Sequence, residues 1–353
     1  MKYNARAALP AAEAILLASL VIILLISVSA SPAGLDTSIT PSTVLHCITS
    51  HLPVISSHST TVTATQDAIV WGIRMPRAIT GAAVGMLLAM AGVAFQSFLM
   101  NPMADPYMVG VSAGSALGSA AVILAGGSAW LAGMAQPLAA FAAGMGSMAL
   151  VTALARINGR LSAQTFLLAG FVFGTFVYSV TRLAISIANR QSDTSKTGQI
   201  LSQLLGSLQG VSWQSLWLLM PMGIAAAWML FMARKELNLM ALGEESAAHL
   251  GVDTERFKNR IILAGSLATA ATVAVAGIIG FVGMVVPHIA RRLVGPDHTR
   301  LLPCSMLLGG IVLSASDLIG RVWFNGLEVG VITAMLGAPA FCYLLRRKLV
   351  SAW

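Results

Sequence analysis

The sequence predicts an all-α protein that crosses a membrane about ten times, and three observations support this. Of the 353 residues, 57% are hydrophobic and 10% are charged, whereas soluble domains carry about 25% charged residues. Apolar residues continue without alternation, as in 14–26, which excludes a β-barrel. About 200 apolar residues supply about ten spans of about 20 residues each. The same composition excludes a soluble enzyme and a disordered chain.

Apolar runs follow one another along the chain, and each predicts a spanning helix within one transmembrane domain, residues 1–353. They cover 11–30, 78–100, 107–126, 131–155, 162–187, 213–233, 259–276, 278–294, 301–320 and 329–345. Because Gly280, Gly283 and Pro287 fall in 278–294, we expect a broken or short helix there. The first run also resembles a signal peptide that ends near Ala30, but it is long enough to span.

Basic residues are distributed unevenly between the two sides that these spans define. With the N-terminus inside, most of the 21 lysines and arginines fall on the inner side. The segment 31–70 is rich in Ser and Thr, has no Lys or Arg, and is predicted to be an external loop. Positive residues favour the cytoplasmic side, so we expect both termini in the cytoplasm. The net charge of +8 is explained by this topology.

A faint internal repeat relates the two halves of the chain. Ala91-Gly92 precedes Pro102 by the same spacing at which Ala276-Gly277 precedes Pro287. Five predicted spans separate the copies, so the halves would have opposite orientations, as in many transporters. Matches at Ala and Gly arise easily by chance in this composition, so an inverted repeat and a coincidence both remain open.

Sequence motifs for catalysis are absent. No GxxxxGK[ST] loop is present, and the run Ser195-Lys196-Thr197 lacks the glycines that would cradle phosphates. HExxH is absent too, and Cys47, Cys304 and Cys342 show no CxxC spacing. We therefore expect no catalytic residues, no metal site and no cofactor on this chain.

Some polar residues can be interpreted either as functional or as purely structural. His46, His51 and His58 in the external loop indicate either a metal or haem contact or simply a polar loop. Arg182, late in the fifth run, and Asp317, late in the ninth, both lie near the outer end, where snorkelling suffices. Arg182 is also a candidate for a transport pathway. The middle of every span lacks Asp and Glu, which argues against ion coupling.

The cytoplasmic stretch 237–253, LNLMALGEESAAHLGVD, predicts a short amphipathic helix. Leu239, Leu242 and Leu250 form its apolar side, and Gly251 would end it. The stretch is either a solvated loop helix or a docking helix for a cytosolic partner.

Long motifs now converge on one family. Segments 74–114, 241–253, 276–303 and 329–347 closely resemble the FecCD family of ABC-transporter permeases, in the right order and spacing. The resemblance covers the chain from about Ala11 to its end. Segment 33–70 is longer than in many members.

The resemblance implies a type II importer in the cytoplasmic (inner) membrane of a prokaryote. Two copies of the chain would form the pore, two copies of a separate ATPase would hold ATP and Mg²⁺, and an external binding protein would deliver cargo. The cargo would be a ferric siderophore, haem or cobalamin. The chain itself would be a transport subunit and not an enzyme.

The family's functional residues carry over by position. The ATPase-coupling residues would be Leu242, Gly243, Glu244, Glu245, Ala248 and Gly251. The cytoplasmic gate would be Leu161, Ser162, Ala163 and Gln164, although the family often has a second hydroxyl where Ala163 stands. The outer arginines that receive the binding protein would be Arg74, Arg77 and Arg321. Arg74 and Arg77 share a helix face, and the alternative is that all three anchor helix ends at the lipid headgroups.

Two other functions compete with this interpretation. One is a stand-alone, ion-coupled secondary transporter of a small solute, which would lose uptake on addition of an uncoupler. The other is a structural or assembly protein of the membrane, which would show no transport phenotype. A neighbouring gene for a Walker-motif ATPase would favour the importer.

Overall fold

Helices make up most of the protein in the computed structural model, which describes residues 8–30, 39–51, 62–127, 131, 133–190 and 194–350. The first half contains α1 (Ala8–Ser29), α2 (Pro41–Ser50), α3 (Ala64–Ile69), a π-helical turn (Val70–Arg74), α4 (Met75–Phe98), a 3₁₀ turn (Pro106–Val109), α5 (Val111–Leu124), α6 (Ala135–Leu154), β1 (Arg156–Ile157), β2 (Arg160–Leu161) and α7 (Ala163–Arg190). The second half contains α8 (Thr194–Leu205), α9 (Trp213–Met232), α10 (Arg234–Met240), α11 (Glu244–His249), α12 (Thr254–Ala276), α13 (Val282–Val294), α14 (His298–Trp323) and α15 (Val329–Val350).

Each predicted apolar run contains a helix, which confirms a helical membrane protein. Within the described residues, seven helices are long and apolar enough to cross a membrane, and two shorter apolar helices, Val111–Leu124 and Val329–Tyr343, accompany them. The helix α13, with 13 residues, matches the short helix expected in 278–294. The helices α2 and α8 were not predicted. A total of ten spans and cytoplasmic termini stay predictions.

The core of the bundle is built on α4 and α12. In their most apolar stretches 83% and 72% of the residues are buried, against 17% in α1 and 22% in α7. Small residues allow this close packing: a methyl group on Gly85 would overlap the backbone of Gly309, and one on Gly92 would overlap the backbone of Gly283. The helices α1 and α7 therefore lie at the periphery, where the other described residues leave most of their surface uncovered.

The chain leaves the helical conformation between α12 and α13, deep inside the bundle. Gly277 and Phe281 adopt positive φ values of 70° and 69°, which end one helix and begin the next. The freed backbone groups have partners: Ile278 N–H donates to the Gln203 carbonyl at 3.0 Å, and Ile279 N–H donates to the Tyr107 hydroxyl at 3.1 Å. Non-helical backbone is tolerated at membrane depth when protein groups satisfy it in this way.

The two ends of the bundle differ in charge. We call one the basic end, where Arg156 and Arg160 lie in the β1–β2 hairpin, Arg234 begins α10 and Arg260 lies in the second turn of α12; the other, which carries α2 and α3, is the opposite end. The hairpin, α10 and α11 lie at the basic end, and the carboxyl end of α1 lies at the opposite one. These two ends hold the candidate sites.

Candidate functional site

A tight hairpin joins α6 to α7 and carries the predicted gate. Its two short antiparallel strands pair Arg156 with Leu161. Asn158 and Gly159 form the turn with φ values of 52° and 78°, as a type I′ turn requires. The sequence analysis missed this hairpin, although the Asn-Gly dipeptide is a recognised signal for it. We call residues 156–162 the gate hairpin.

The gate residues divide between the interior and the surface. Leu161 is buried, Ser162 and Gln164 are exposed, and Ala163, at the start of α7, is partly exposed. The hairpin thus uses Leu161 as its anchor in the bundle and presents the small and polar side chains that follow. This arrangement is compatible with the predicted gate role, which stays a prediction.

The predicted coupling segment forms two short helices, α10 and α11, instead of one. Gly243 and Gly251 bracket α11 with φ values of 104° and 88°, so Gly251 ends the helix as expected. Ala247 is the buried residue of α11. The remaining predicted residues lie mostly on the surface, where Leu242 and Leu250 are 65% and 59% exposed. We call the surface of 242–251 the coupling surface; Glu244, Glu245, Ala248 and Gly251 are exposed on it.

One buried lysine, which the sequence analysis missed, joins the coupling surface to the gate hairpin. Lys258 Nζ donates to the Leu161 carbonyl at 3.1 Å, to Glu244 Oε1 at 2.5 Å and to Glu255 Oε1 at 2.9 Å. Its side chain is 7% exposed. A lysine in the second turn of α12, three residues after Glu255 and so on the same helix face, was the available signal.

A cavity of about 490 Å³ opens beside this lysine. It is lined by Phe98, Leu99, Met100, Ile157, Arg160, Leu161, Ser162, Ala163, Gln164, Met240, Glu244, Glu255 and Lys258. Every predicted gate residue and one coupling residue therefore border the same space. The structure brings together two sites that were predicted from separate parts of the sequence.

A second polar network fixes α10 to the bundle. His298 Nε2 and the Ser97 hydroxyl are 2.8 Å apart, and His298 Nδ1 lies 2.8 Å from Asn238 Oδ1. The amide of Asn238 also donates to Asp297 Oδ1 at 2.8 Å. Backbone and side-chain donors on Thr299 and Asn238 lower the pKa of Asp297. The helix before the coupling surface is thereby attached to both α14 and α4.

The three outer arginines lie together at the opposite end, but not on a solvated rim. Arg74 is buried and donates to the carbonyls of Val28 and Ser29 at 2.8 and 3.0 Å. Arg321 is buried too and donates to the carbonyl and hydroxyl of Ser27 at 2.5 and 2.9 Å. The two guanidinium groups therefore cap the last carbonyls of α1, where the helix dipole also favours positive charge.

The third arginine is paired with the acidic residue that was expected to snorkel. Arg77 donates three hydrogen bonds to the carboxylate of Asp317 at 2.7–3.2 Å, and Asp317 is 4% exposed. The expectation of a snorkelling aspartate was wrong, because the sequence does not show that α4 and α14 bring the two charges together. A role in docking a partner stays a prediction.

The helix α7 presents a largely unpacked side. Its exposed large apolar residues are Leu168, Phe171, Val172, Phe176, Tyr178, Leu183 and Ile187. Arg182 is exposed among them, with its guanidinium carbon 5.7 Å from the centre of the Tyr178 ring. This side of the helix is available to lipid or to another subunit.

The histidines of the predicted external loop differ in their surroundings. His51 stacks on Trp71 with ring centres 4.1 Å apart, and its Nε2 lies 3.6 Å from Asp67 Oδ2. His46 is exposed, and His58 falls outside the described residues. Among the residues that the structure describes, no group of three His, Cys, Asp or Glu side chains is placed to hold a metal.

Comparison with known proteins identifies the family. The model of the FecCD transport family matches residues 19–347. The chain belongs to this family. It is 41% identical to the cobalamin import system permease protein BtuC of Halobacterium salinarum, over 82% of the chain and 77% of that protein. It is 36% identical to the vitamin B12 import system permease protein BtuC of Salmonella paratyphi A, over 81% of the chain and 86% of that protein.

Solved structures agree with this assignment. A metal-chelate type ABC transporter in an inward-facing conformation has a TM-score of 0.80 and 28% identity, covering 96% of this chain and 99% of that one. PsaBC from Streptococcus pneumoniae, at 16% identity and a TM-score of 0.50, shares the fold alone. This FecCD-family chain is a multi-pass membrane protein and a permease of the ABC-transporter class, as the motifs predicted.

Proposed function

We propose that this FecCD permease is the transmembrane subunit of an importer for cobalamin or a related metal chelate. The observation that carries the proposal is the contact between the exposed coupling surface and the gate hairpin. A permease driven from outside its own chain needs a surface that receives the force and a gate that responds to it. Here the Glu244 carboxylate on that surface lies 2.5 Å from Lys258 Nζ, which also binds Leu161.

We propose that the coupling surface docks a separate ATPase subunit, which carries ATP and Mg²⁺. Leu242 and Leu250 are large apolar side chains exposed at the basic end, and such residues are typical of the centre of a docking site. Glu244 and Glu245 beside them supply charge that selects the partner. The basic end then faces the cytoplasm, as the distribution of Lys and Arg predicts.

We propose that two copies of the chain form the pore along α7. The proposal is supported by the apolar side of this helix, which no other part of the described chain covers. Ser162, at the N-terminal end of α7, would meet its counterpart at the cytoplasmic constriction. Arg182 would lie near the outer mouth of the same pathway. Ser162→Cys tests this arrangement. We expect disulfide crosslinking of the two copies in the closed state, and no crosslinking in any nucleotide state would remove the gate assignment.

An external binding protein would meet the opposite end, in a prokaryotic cytoplasmic membrane. A cavity of about 690 Å³ in this region is lined mainly by glutamine and serine side chains and by no charged ones. Such a lining offers hydrogen bonds without charge, which suits the amide-rich periphery of a corrin better than an acidic chelate. Relatives that are named as cobalamin import permeases point the same way.

The proposal is tested by reconstitution of the chain with its cognate ATPase and binding protein in liposomes. We expect ATP-dependent accumulation of labelled cyanocobalamin. Ferric siderophore and haem are supplied at equal concentration in parallel assays. Accumulation of one of these instead of cyanocobalamin would identify it as the cargo. Accumulation that continues without ATP and collapses with an uncoupler would refute the importer and support the secondary transporter.

A further inference from the structure

Lys258 occupies a position that packing alone does not explain. It is buried in the second turn of α12, and the three acceptors of its ammonium group lie on three different elements: β2, α11 and α12 itself. A lysine ammonium has three N–H donors, so every donor has a partner here. An isolated buried charge is costly, and this one is stabilised because it connects those elements.

The backbone of the gate hairpin is bound on both sides by the same ion-pair cluster. The Leu161 carbonyl accepts from Lys258 at 3.1 Å, and the Leu161 N–H donates to Glu255 Oε2 at 3.3 Å. The second oxygen of the Glu255 carboxylate accepts from Lys258 at 2.9 Å. Any displacement of Lys258 therefore acts on Leu161 directly and through Glu255. The side chain of Leu161 is itself buried, so this residue is the fixed point of the hairpin.

On its other side Lys258 holds a residue that a partner can reach. The Glu244 side chain is 50% exposed although its Oε1 lies 2.5 Å from Lys258 Nζ. A protein that docks on the coupling surface would contact the same carboxylate that Lys258 binds. The cavity of about 490 Å³ beside the cluster leaves space into which the hairpin can move.

We propose that Lys258 is a positioning residue that links the movement of the coupling surface to the gate hairpin, through its simultaneous contacts with Glu244 and Leu161. The inference rests on the proposed function, because it assigns a route between the ATPase site and the gate. Lys258 sets the position of Leu161, and thereby of Ser162, according to the position of Glu244.

The experiment compares Lys258→Met with a matched control, Arg260→Met, in the reconstituted complex. Arg260 lies on the same helix and forms an ion pair with Glu236, but the side chains of this pair are 43% and 36% exposed and Glu236 lies on α10, outside the hairpin. We expect Lys258→Met to hydrolyse ATP while its uptake per ATP falls about five- to tenfold, within the usual range for linked sites. Arg260→Met should stay within about twofold of the wild type. Wild-type uptake per ATP in assembled Lys258→Met would overturn the proposal.

Glu255→Gln provides a second variant of nearly identical shape, in case Lys258→Met fails to assemble. It keeps an acceptor for Leu161 but loses the charge that holds Lys258, so we expect a fall of the same sign. An unchanged ratio in this variant would also overturn the proposal. A wild-type complex without ATP-dependent uptake is a different result, because it refutes the importer before any variant is compared.

A cargo-independent readout follows the link itself by hydrogen–deuterium exchange. We expect addition of the ATPase to slow exchange in residues 242–251 of both wild type and Lys258→Met, because the docking surface is retained. In the wild type exchange should also change in residues 156–162, and in Lys258→Met this second response should be lost. An equal response of the gate hairpin in both proteins would show that the signal does not pass through Lys258.

Discussion

Removal of the Asp317 carboxylate is predicted to destabilise the opposite end of the bundle severely. Asp317 is 4% exposed and accepts three hydrogen bonds from Arg77, and its Oδ2 lies 4.0 Å from Nε of Arg321. In Asp317→Ala the buried guanidinium group of Arg321 and the largely buried one of Arg77 would lose the anion that compensates them. Breaking a buried pair by removing one partner costs about 3–5 kcal/mol.

The assay uses the protein's own cysteines. Cys47 and Cys304 are buried and free, whereas Cys342 is exposed, so a Cys342→Ser background reports unfolding through a thiol-reactive dye. A loss of about 3–5 kcal/mol corresponds to a fall in Tm of about 6–10 °C at about 2 °C per kcal/mol, the lower end for large domains. The control Arg256→Ala removes an exposed ion pair with Asp253 (84% and 54%) and should change stability by less than about 1 kcal/mol.

A double variant separates the structural role of this pair from a docking role. Arg77→Met with Asp317→Leu replaces the pair by apolar side chains, which is often neutral for stability, so most of the loss should be recovered. If the free energy of unfolding of Asp317→Ala lies within about 1 kcal/mol of that of the control, the buried-pair argument is refuted. If the double variant is stable but no longer docks the binding protein, Arg77 regains the contact role that the family resemblance implies.

Three further predictions follow from other parts of the structure. Gly251→Trp should prevent ATPase binding without unfolding the spans, because residue 251 is exposed beside α11; a pull-down with the ATPase checks it, and undiminished binding would contradict the coupling assignment. Gly92→Val should lower stability by about 3 kcal/mol or more, since a side chain there meets the backbone of Gly283; an unshifted Tm would be the contrary result. The lowered pKa of Asp297 contributes stability at neutral pH that is lost as the pH falls through that lowered value. Asp297→Asn, which keeps the helix cap, should therefore reduce the fall in Tm as the pH decreases below about pH 4. A fall in Tm equal to that of the wild type would assign the acid sensitivity to other groups.

How much of the fold was predictable depends on which interactions are local. Apolar runs of about 20 residues predict spanning helices because the bilayer sets the length, and Gly277 and Pro287 mark the broken region by their own backbone preferences. The pairing of Arg77 with Asp317, by contrast, joins residues 240 positions apart. A charge near the end of a span suits the headgroup region as well as a buried partner, and a single sequence does not distinguish the two.

In the candidate site, too, features set by local sequence were predictable and contacts between distant residues were not. Exposure of Glu244 and the helix end at Gly251 were predictable, since both follow from local sequence. The role of Lys258 was not, because its meaning depends on Leu161, which lies 97 residues earlier in the chain. The gate and coupling residues were predicted from separate segments of the sequence, and only the fold shows that the gate residues and Glu244 border one cavity.

The two ends of the bundle differ in how readily their charges can move. At the opposite end the ion pair of Arg77 and Asp317 is 16% and 4% exposed, so water cannot replace a broken contact and separation is costly. At the basic end the partners of Lys258 are half to one-third exposed, with Glu244 at 50% and Glu255 at 33%. Their carboxylates can exchange the lysine for water at a smaller cost, and an adjacent cavity provides space. Rearrangement driven from outside the chain should therefore begin at the basic end, with α1, α4 and α14 held together at the other as a fixed frame.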